Sequence, residues 1–193
     1  MSGPTNQDNH PGLLERRASV IGPVGDHLGG AILGAKSEST GGLERFTVAA
    51  AHMGVEVAPV QYPQGTRTAV DAAAAIGCDV SQIVKSLVLR AGDEFIIALT
   101  AGHHRIDIDK ITEMIGAETR MATPDEARRA TGYAIGGTPP FGHPRPLTTF
   151  LDPALMTHAV VYAAAGRPDT CFPLSPQVLV EATKAALAGF TAE

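Results

Sequence analysis

Few residues in this 193-residue chain stand where chemistry would need them. The first is Lys85, within Gln82-Ile83-Val84-Lys85-Ser86-Leu87-Val88-Leu89-Arg90. Read as a strand, the segment puts Ile83, Lys85, Leu87 and Leu89 on one face and Val84, Ser86, Val88 and Arg90 on the other. Lys85 then interrupts an apolar face, where an unpartnered ammonium is costly to bury. Two readings stay open. A lysine near a strand end can snorkel to water, or it can sit in a pocket and hold an anion or a polarised carbonyl.

The second feature is the loop Gly132-Tyr133-Ala134-Ile135-Gly136-Gly137-Thr138-Pro139-Pro140-Phe141-Gly142-His143-Pro144. Paired glycines permit positive φ and let a ligand approach main-chain N–H groups. The prolines restrict the remaining backbone, so such donors can be set before a ligand arrives. The loop has neither the Gly-Lys-Ser/Thr ending of a Walker loop nor the GxGxxG spacing. An ordinary rigid connection would look the same in isolation.

Other reactive side chains favour plainer readings. His103, His104, Asp107 and Asp109 cluster in sequence, and His143 could join them as metal ligands. Adjacent histidines point opposite ways on a strand, however, and HExxH spacing is absent. A polar turn with Asp107 capping the next helix is favoured, and no metal is expected. Cys78 and Cys171 read as small buried residues rather than nucleophiles. No nucleophile elbow with a Ser-His-Asp order is visible.

The elements that must position these residues are punctuated clearly from Gly42 onward. Leu43, Phe46, Ala49 and Ala50 follow helical spacing, closed by Gly54. Val55–Tyr62 reads as a strand. Thr68-Ala69-Val70-Asp71 is a capping box before an Ala-rich helix ending at Gly77. Strands over 82–90 and 94–100, joined by Ala91-Gly92-Asp93, form a hairpin. A helix over 107–115 stops at Gly116. Thr123-Pro124-Asp125-Glu126 opens another, ending at Gly132. Strands follow over 147–151, 158–164 and 170–174, and Ser175-Pro176 begins a helix reaching about Ala188. Hairpins mixed with single helices predict an α+β fold around a mixed, mostly antiparallel sheet. Residues 1–41, rich in Gly, Pro and Ser, read as a disordered or loosely packed extension before a domain over 42–193.

These segments resemble the YbaK/ProX family of free-standing aminoacyl-tRNA editing deacylases, a domain also inserted in some bacterial prolyl-tRNA synthetases. The resemblance runs from about Gly42 to Ala188. It is carried by Ile83-Val84-Lys85-Ser86-Leu87-Val88, Gly102-His103-His104-Arg105-Ile106-Asp107, Gly136-Gly137-Thr138-Pro139-Pro140-Phe141-Gly142-His143, Leu151-Asp152, Ala164-Ala165-Gly166 and Leu174-Ser175-Pro176. The late turn Gly166-Arg167-Pro168-Asp169 has one glycine where many members carry more. The resemblance implies a barrel-like sheet surrounded by helices. It also implies hydrolysis of the ester between a mischarged, small amino acid and the 3′ acceptor end of tRNA-Pro. Lys85 would be catalytic; Gly136, Gly137, Thr138, Pro139, Gly142 and His143 would bind substrate. No cofactor is implied. The partners would be aminoacyl-tRNA and, as a further candidate, prolyl-tRNA synthetase. The alternative is a catalytically silent module of the same fold that binds tRNA or a synthetase.

Composition limits what such a protein can be. Lys plus Arg is 15 against Asp plus Glu 20, a net charge of −5, so RNA contact needs a local basic patch rather than a basic coat, and DNA is not an expected partner. Aromatics are 5% and Trp is absent, which disfavours long single-strand stacking platforms. Two distant cysteines fit a reducing, cytoplasmic compartment. No apolar run reaches the roughly 18 residues of a membrane span, and the first residues lack a signal-peptide core.

Overall fold

A computed structural model describes residues 41–62 and 68–192. The expected N-terminal extension lies, apart from Gly41, outside the described residues. The elements in order are α1 (Gly42–His52), β1 (Val60–Gln61), α2 (Ala69–Ile76), β2 (Ile83–Ala91), β3 (Glu94–Ala101), α3 (Ile108–Ile115), β4 (Thr119–Met121), α4 (Pro124–Thr131), β5 (Thr148–Leu151), β6 (Val161–Ala164), β7 (Thr170–Leu174), α5 (Pro176–Thr183) and β8 (Ala186–Leu187). None of the described helices is long and apolar enough to cross a membrane.

Helix starts follow side-chain capping. Thr68 and Asp71 exchange hydrogen bonds with each other's backbone N–H at 3.1 Å, closing the capping box of α2. Thr123 and Glu126 do the same for α4, with Pro124 in its first turn. Asp107 accepts from the N–H of Asp109 and Lys110 and starts α3. The polar-turn reading of that aspartate therefore holds.

The strands form one mixed sheet in the order β1-β7-β6-β2-β3-β5-β8, with β4 pairing β2 off this path. The path is open rather than a closed barrel. The hairpin of β2 and β3 pairs from Val84↔Ala101 to Ala91↔Glu94 and is its centre. Its two faces are both covered. Ile97, Leu99 and Ala101 face a core with Phe46, Phe141 and Phe172, whose rings lie 4.8–5.8 Å apart. Leu89, Ile96 and Ala98 face a second core with Ile111 and Phe190. Residues of both parities on β2 are therefore buried, and its two faces are less distinct than alternation predicts.

The other edge of β2 is covered in two separate pieces. β6 pairs in parallel with Ile83 and Val84, and β4 pairs antiparallel with Leu89 to Ala91. Lys85, Ser86 and Leu87 thus have a ladder partner on the β3 side alone among the described strands. Those three residues mark a gap in the ladder on that edge.

Four sequence-based boundaries need correction. β1 is two residues long, because Val55 and Val57 pack against the Phe46 core without a strand partner. β6 begins at Val161, preceded by a 3-10 turn over Pro153–Thr157. The helix expected to reach Ala188 ends at Thr183, where Lys184 takes a left-handed φ of 52°. Ala186 and Leu187 then pair with Phe150 and Leu151, so sheet pairing overrides alanine's helix preference. β4 has no counterpart in the sequence pattern: three residues are too short for a periodic signal.

Candidate active site

A cavity of about 490 Å³ opens at the gap beside β2. Ile83 to Leu87 form one wall and Ala69, Ala72 and Ile76 of α2 another. Tyr162 to Ala164 of β6, Cys171 of β7, and Tyr62 and Pro168 complete much of the lining. Ile135, Gly136 and Thr138 bring the Gly-Pro loop to it. Lys85 and part of that loop therefore meet in one cavity, though about 50 residues of sequence separate them.

Lys85 is partly buried, and its ammonium Nζ donates to the main-chain carbonyl of His104. Burial pushes its pKa below the ordinary lysine value; Asp152 opposes the shift and Arg105 adds to it. The His104 carrier is itself held. Its ring Nδ1 donates to Asp152 Oδ2 at 2.7 Å. Asp152 is 2% exposed and also accepts from the N–H of Ala101 at 3.1 Å and of Ala154 at 3.0 Å. A buried carboxylate thus fixes the segment whose carbonyl orients the lysine. Beside it, the Ser86 and Thr100 hydroxyls are buried without a hydrogen-bond partner among the described residues. Ser86 lines the cavity, and Thr100 is the register partner of Lys85.

The Gly-Pro loop divides into a cavity-facing part and a bracing part. Gly136 has φ 86°, a conformation open to glycine at little cost. The Gly137 N–H donates to Ala134 O at 3.0 Å, and a β-carbon there would stand 2.8 Å from the Arg167 carbonyl carbon. Gly137 is therefore required by close backbone packing, and its N–H is already used. The N–H groups of Gly136 and Thr138 make no main-chain hydrogen bond among the described residues. The Thr138 hydroxyl donates to Ala134 O at 3.1 Å.

Gly137, Pro139, Gly142 and His143 do not line the cavity. His143 Nε2 pairs with Pro139 O at 2.9 Å, and burial lowers its pKa against the opposing effect of that bond. Gly142, at φ 82°, offers its carbonyl to the Tyr133 hydroxyl at 3.3 Å. These residues brace the loop that presents Gly136 and Thr138.

No group of three or more candidate metal ligands occurs among the described residues. Burial raises the Cys171 thiol to about 11, with Cys78 adding to the effect. Burial likewise raises Cys78. Protonated thiols are poor nucleophiles.

Tyr62, Tyr162 and Ile135 also line the cavity, and sequence reasoning did not select them. The Tyr62 hydroxyl donates to Pro168 O at 3.1 Å, tying two lining segments together. A single tyrosine just before Pro63 carries no period that would single it out. Asp152 and His104 stood out only as parts of motifs, because a contact across 48 residues leaves no local signal.

The aminoacyl-tRNA editing domain model matches residues 63–182. An uncharacterized protein YwhH of Bacillus subtilis is 34% identical over 122 residues, covering 63% of this chain and 78% of that protein. The proline–tRNA ligase of Bacillus licheniformis is 30% identical over 104 residues, covering 53% of this chain but 18% of the ligase. A solved structure described as a proposed trans-editing enzyme for prolyl tRNA synthetase superposes with a TM-score of 0.76 at 39% identity. That superposition covers 79% of this chain and 98% of the other. With its lysine-bearing cavity and this span of matched sequence, the chain belongs to the aminoacyl-tRNA editing domain family.

Proposed function

We propose that this protein is a trans-acting deacylase that hydrolyses a small amino acid from mischarged tRNA-Pro. The observation that carries the reading is the cavity shared by Lys85 and the Gly136–Thr138 segment. Its volume of about 490 Å³ lies within the ordinary range for small-ligand sites. Ala69, Ala72 and Ile83 give it the apolar wall that a small side chain would meet.

In this reaction water attacks the ester carbonyl carbon, and the bond from that carbon to the ribose oxygen breaks. The ribose oxygen takes one proton of that water, and the amino acid departs as its carboxylate, releasing the other proton to solvent. Lys85, as an ammonium, orients the ester carbonyl or the terminal phosphate. The N–H groups of Gly136 and Thr138 are the donors left for the tetrahedral oxyanion, since that of Gly137 serves Ala134. The vicinal ribose hydroxyl of the substrate assists the water. The tRNA link draws support from the family model, and the proline link from the relatives' descriptions.

A panel of Ala-, Cys-, Ser- and Thr-charged tRNA-Pro tests the reading directly. Release of at least one amino acid, lost in Lys85→Ala, is expected. Tight tRNA binding with no hydrolysis across the panel would instead identify a silent binding module.

A further inference from the structure

A chain of net charge −5 must concentrate its positive charge if it is to hold RNA. Besides Arg45 and the exposed Arg105, whose charge acts on Lys85, the described arginines divide into two groups. Arg90, Arg120 and Arg167 are each committed to carboxylates. Arg128, Arg129 and Arg145 are exposed, and their side chains make no hydrogen bond or ion pair among the described residues. These three converge on one corner. Arg128 and Arg129 lie in the last turn of α4, and the Arg128 carbonyl accepts from Gly132 N at 2.8 Å. Pro144, which precedes Arg145, packs beside Gly132, with its Cγ 3.6 Å from where a β-carbon would stand.

A fourth arginine joins from α1. Arg45 Nη2 donates to Gly132 O at 2.6 Å, and its guanidinium lies 5.2 Å from the centre of the Tyr133 ring. The nearby acids on α4 are Asp125 and Glu126; among the described residues Glu126 pairs with Arg90 and Arg120, and neither acid forms an ion pair with Arg128, Arg129 or Arg145 within 4 Å. Gly132 is three residues from Ile135, which lines the cavity. Three residues span at most about 11 Å. The Gly132 turn at the centre of this corner therefore lies close to the cavity lining.

We propose that Arg45, Arg128, Arg129 and Arg145 form the docking surface for the phosphates of the tRNA acceptor end. The inference rests on the deacylase reading for the identity of the RNA. A strand whose 3′ ester occupies the cavity would carry its preceding phosphates across this corner. Arginine suits the task because its planar fork gives paired donors to phosphate and keeps its charge. The loop from Gly132 to Pro144 would then join phosphate capture at one end to ester positioning at the other.

The test is binding of uncharged tRNA-Pro to the full chain as a function of KCl, with single-turnover deacylation measured alongside. Arg128→Gln/Arg129→Gln/Arg145→Gln is compared with wild type and with Lys184→Gln, which removes an exposed cation elsewhere. The triple variant should bind at least tenfold more weakly at low salt. Its log Kd against log salt should flatten by about 0.7–0.9 for each phosphate it no longer engages. Hydrolysis of an aminoacyl-adenosine, which lacks the preceding phosphates, should be unchanged. Lys184→Gln should alter neither. If the triple variant melts early, Arg145→Gln alone should show about one phosphate's share.

Unchanged affinity and salt slope in a folded triple variant would overturn the docking surface. So would failure of the wild type to bind tRNA at low salt. If binding behaves as expected while no charged tRNA is hydrolysed, the docking surface stands and the deacylase reading falls. If hydrolysis occurs and the variants keep wild-type affinity, the reverse holds.

Discussion

Strand β2 carries two cations five residues apart, and their surroundings differ in kind. Arg90 is saturated. Its guanidinium donates to Gly92 O at 2.9 Å and to Asp93 at 3.0 Å, reaches Glu126 at 3.8 Å, and lies 5.6 Å from the centre of the Phe95 ring. Lys85 donates to a main-chain carbonyl, and among the described residues no carboxylate lies within ion-pair distance of it. Burial also makes its charge harder to keep. A cation paired with carboxylates at the hairpin end serves local structure. A cation held by a carbonyl on a cavity wall retains donors for something else.

The widest separation between the two should come from deletion. Lys85→Ala should slow single-turnover deacylation at least about a hundredfold, the scale of removing one electrostatic donor of about 2.7 kcal/mol. Its melting temperature should hold or rise, since a partly buried ammonium is removed. The pKa direction gives the sign. A lysine depressed in the fold disfavours folding while charged, and that cost vanishes as pH rises through its folded pKa. Lys85→Met should therefore stabilise most at neutral pH and least at alkaline pH. A folded Lys85→Ala protein with full activity would erase the distinction from Arg90.

Next in size is the buried support of Lys85. Asp152→Asn keeps the shape but weakens three hydrogen bonds, including that from His104. Hydrogen bonds to charged groups contribute about 1.5–3 kcal/mol each. A loss of stability of that order is expected, with a drop in kcat larger than any change in KM. A positioning role also predicts a changed alkaline limb in the pH–rate profile, because Asp152 acts on the Lys85 charge. An unaltered limb would reduce Asp152 to a purely structural group.

The loop offers a contrast of intermediate size. Gly137→Ala places a β-carbon 2.8–3.0 Å from the Arg167 backbone, and overpacking of this kind costs about 1–3 kcal/mol. Thr138→Ala removes one hydrogen bond, to Ala134 O, worth about 1 kcal/mol. Gly137→Ala should lower both melting temperature and deacylation, and Thr138→Ala should be milder on both. The opposite order would move the loop's role from backbone to side chain.

What could be read in the sequence follows from how local each cause is. The capping boxes at Thr68 and Thr123 and the turn at Asp107 are settled within four residues, and they appear where the sequence puts them. The β2–β3 hairpin is nearly as local. Lys85 is visible because a charge breaks an apolar face. The cavity itself is not, since it arises where β6 and β4 stop short of Lys85 on the same edge. Nor is the division of the Gly-Pro loop. Gly136 and Gly137 are equivalent as letters, and only the Arg167 backbone distinguishes them. The end of α5 escapes the sequence for the same reason: the partner of Ala186 is Phe150, 36 residues away.

The smallest effect should fall on Arg90 itself. Asp93 is fully exposed, and Arg90 keeps 30% of its side-chain surface in water, so their pair is heavily screened. Exposed ion pairs contribute about 0.2–1 kcal/mol, and an exposed cation–π contact about 0.5–1 kcal/mol. Glu126 keeps Arg120 as a closer, two-pronged partner at 2.7 Å, and that contact holds its carboxyl at about 2 with or without Arg90. The Arg90→Gln variant should therefore lose about 1 kcal/mol or less by denaturant unfolding, with the loss shrinking further in high salt. Its deacylation rate should match wild type. A larger loss that persists in about 1 M salt, where exposed charges are screened within ~3 Å, would mean that Arg90 acts by packing its stem on Phe95 rather than by charge. A tenfold fall in activity would show that the hairpin end of β2 communicates with the cavity end, and the two cations could no longer be assigned separate tasks.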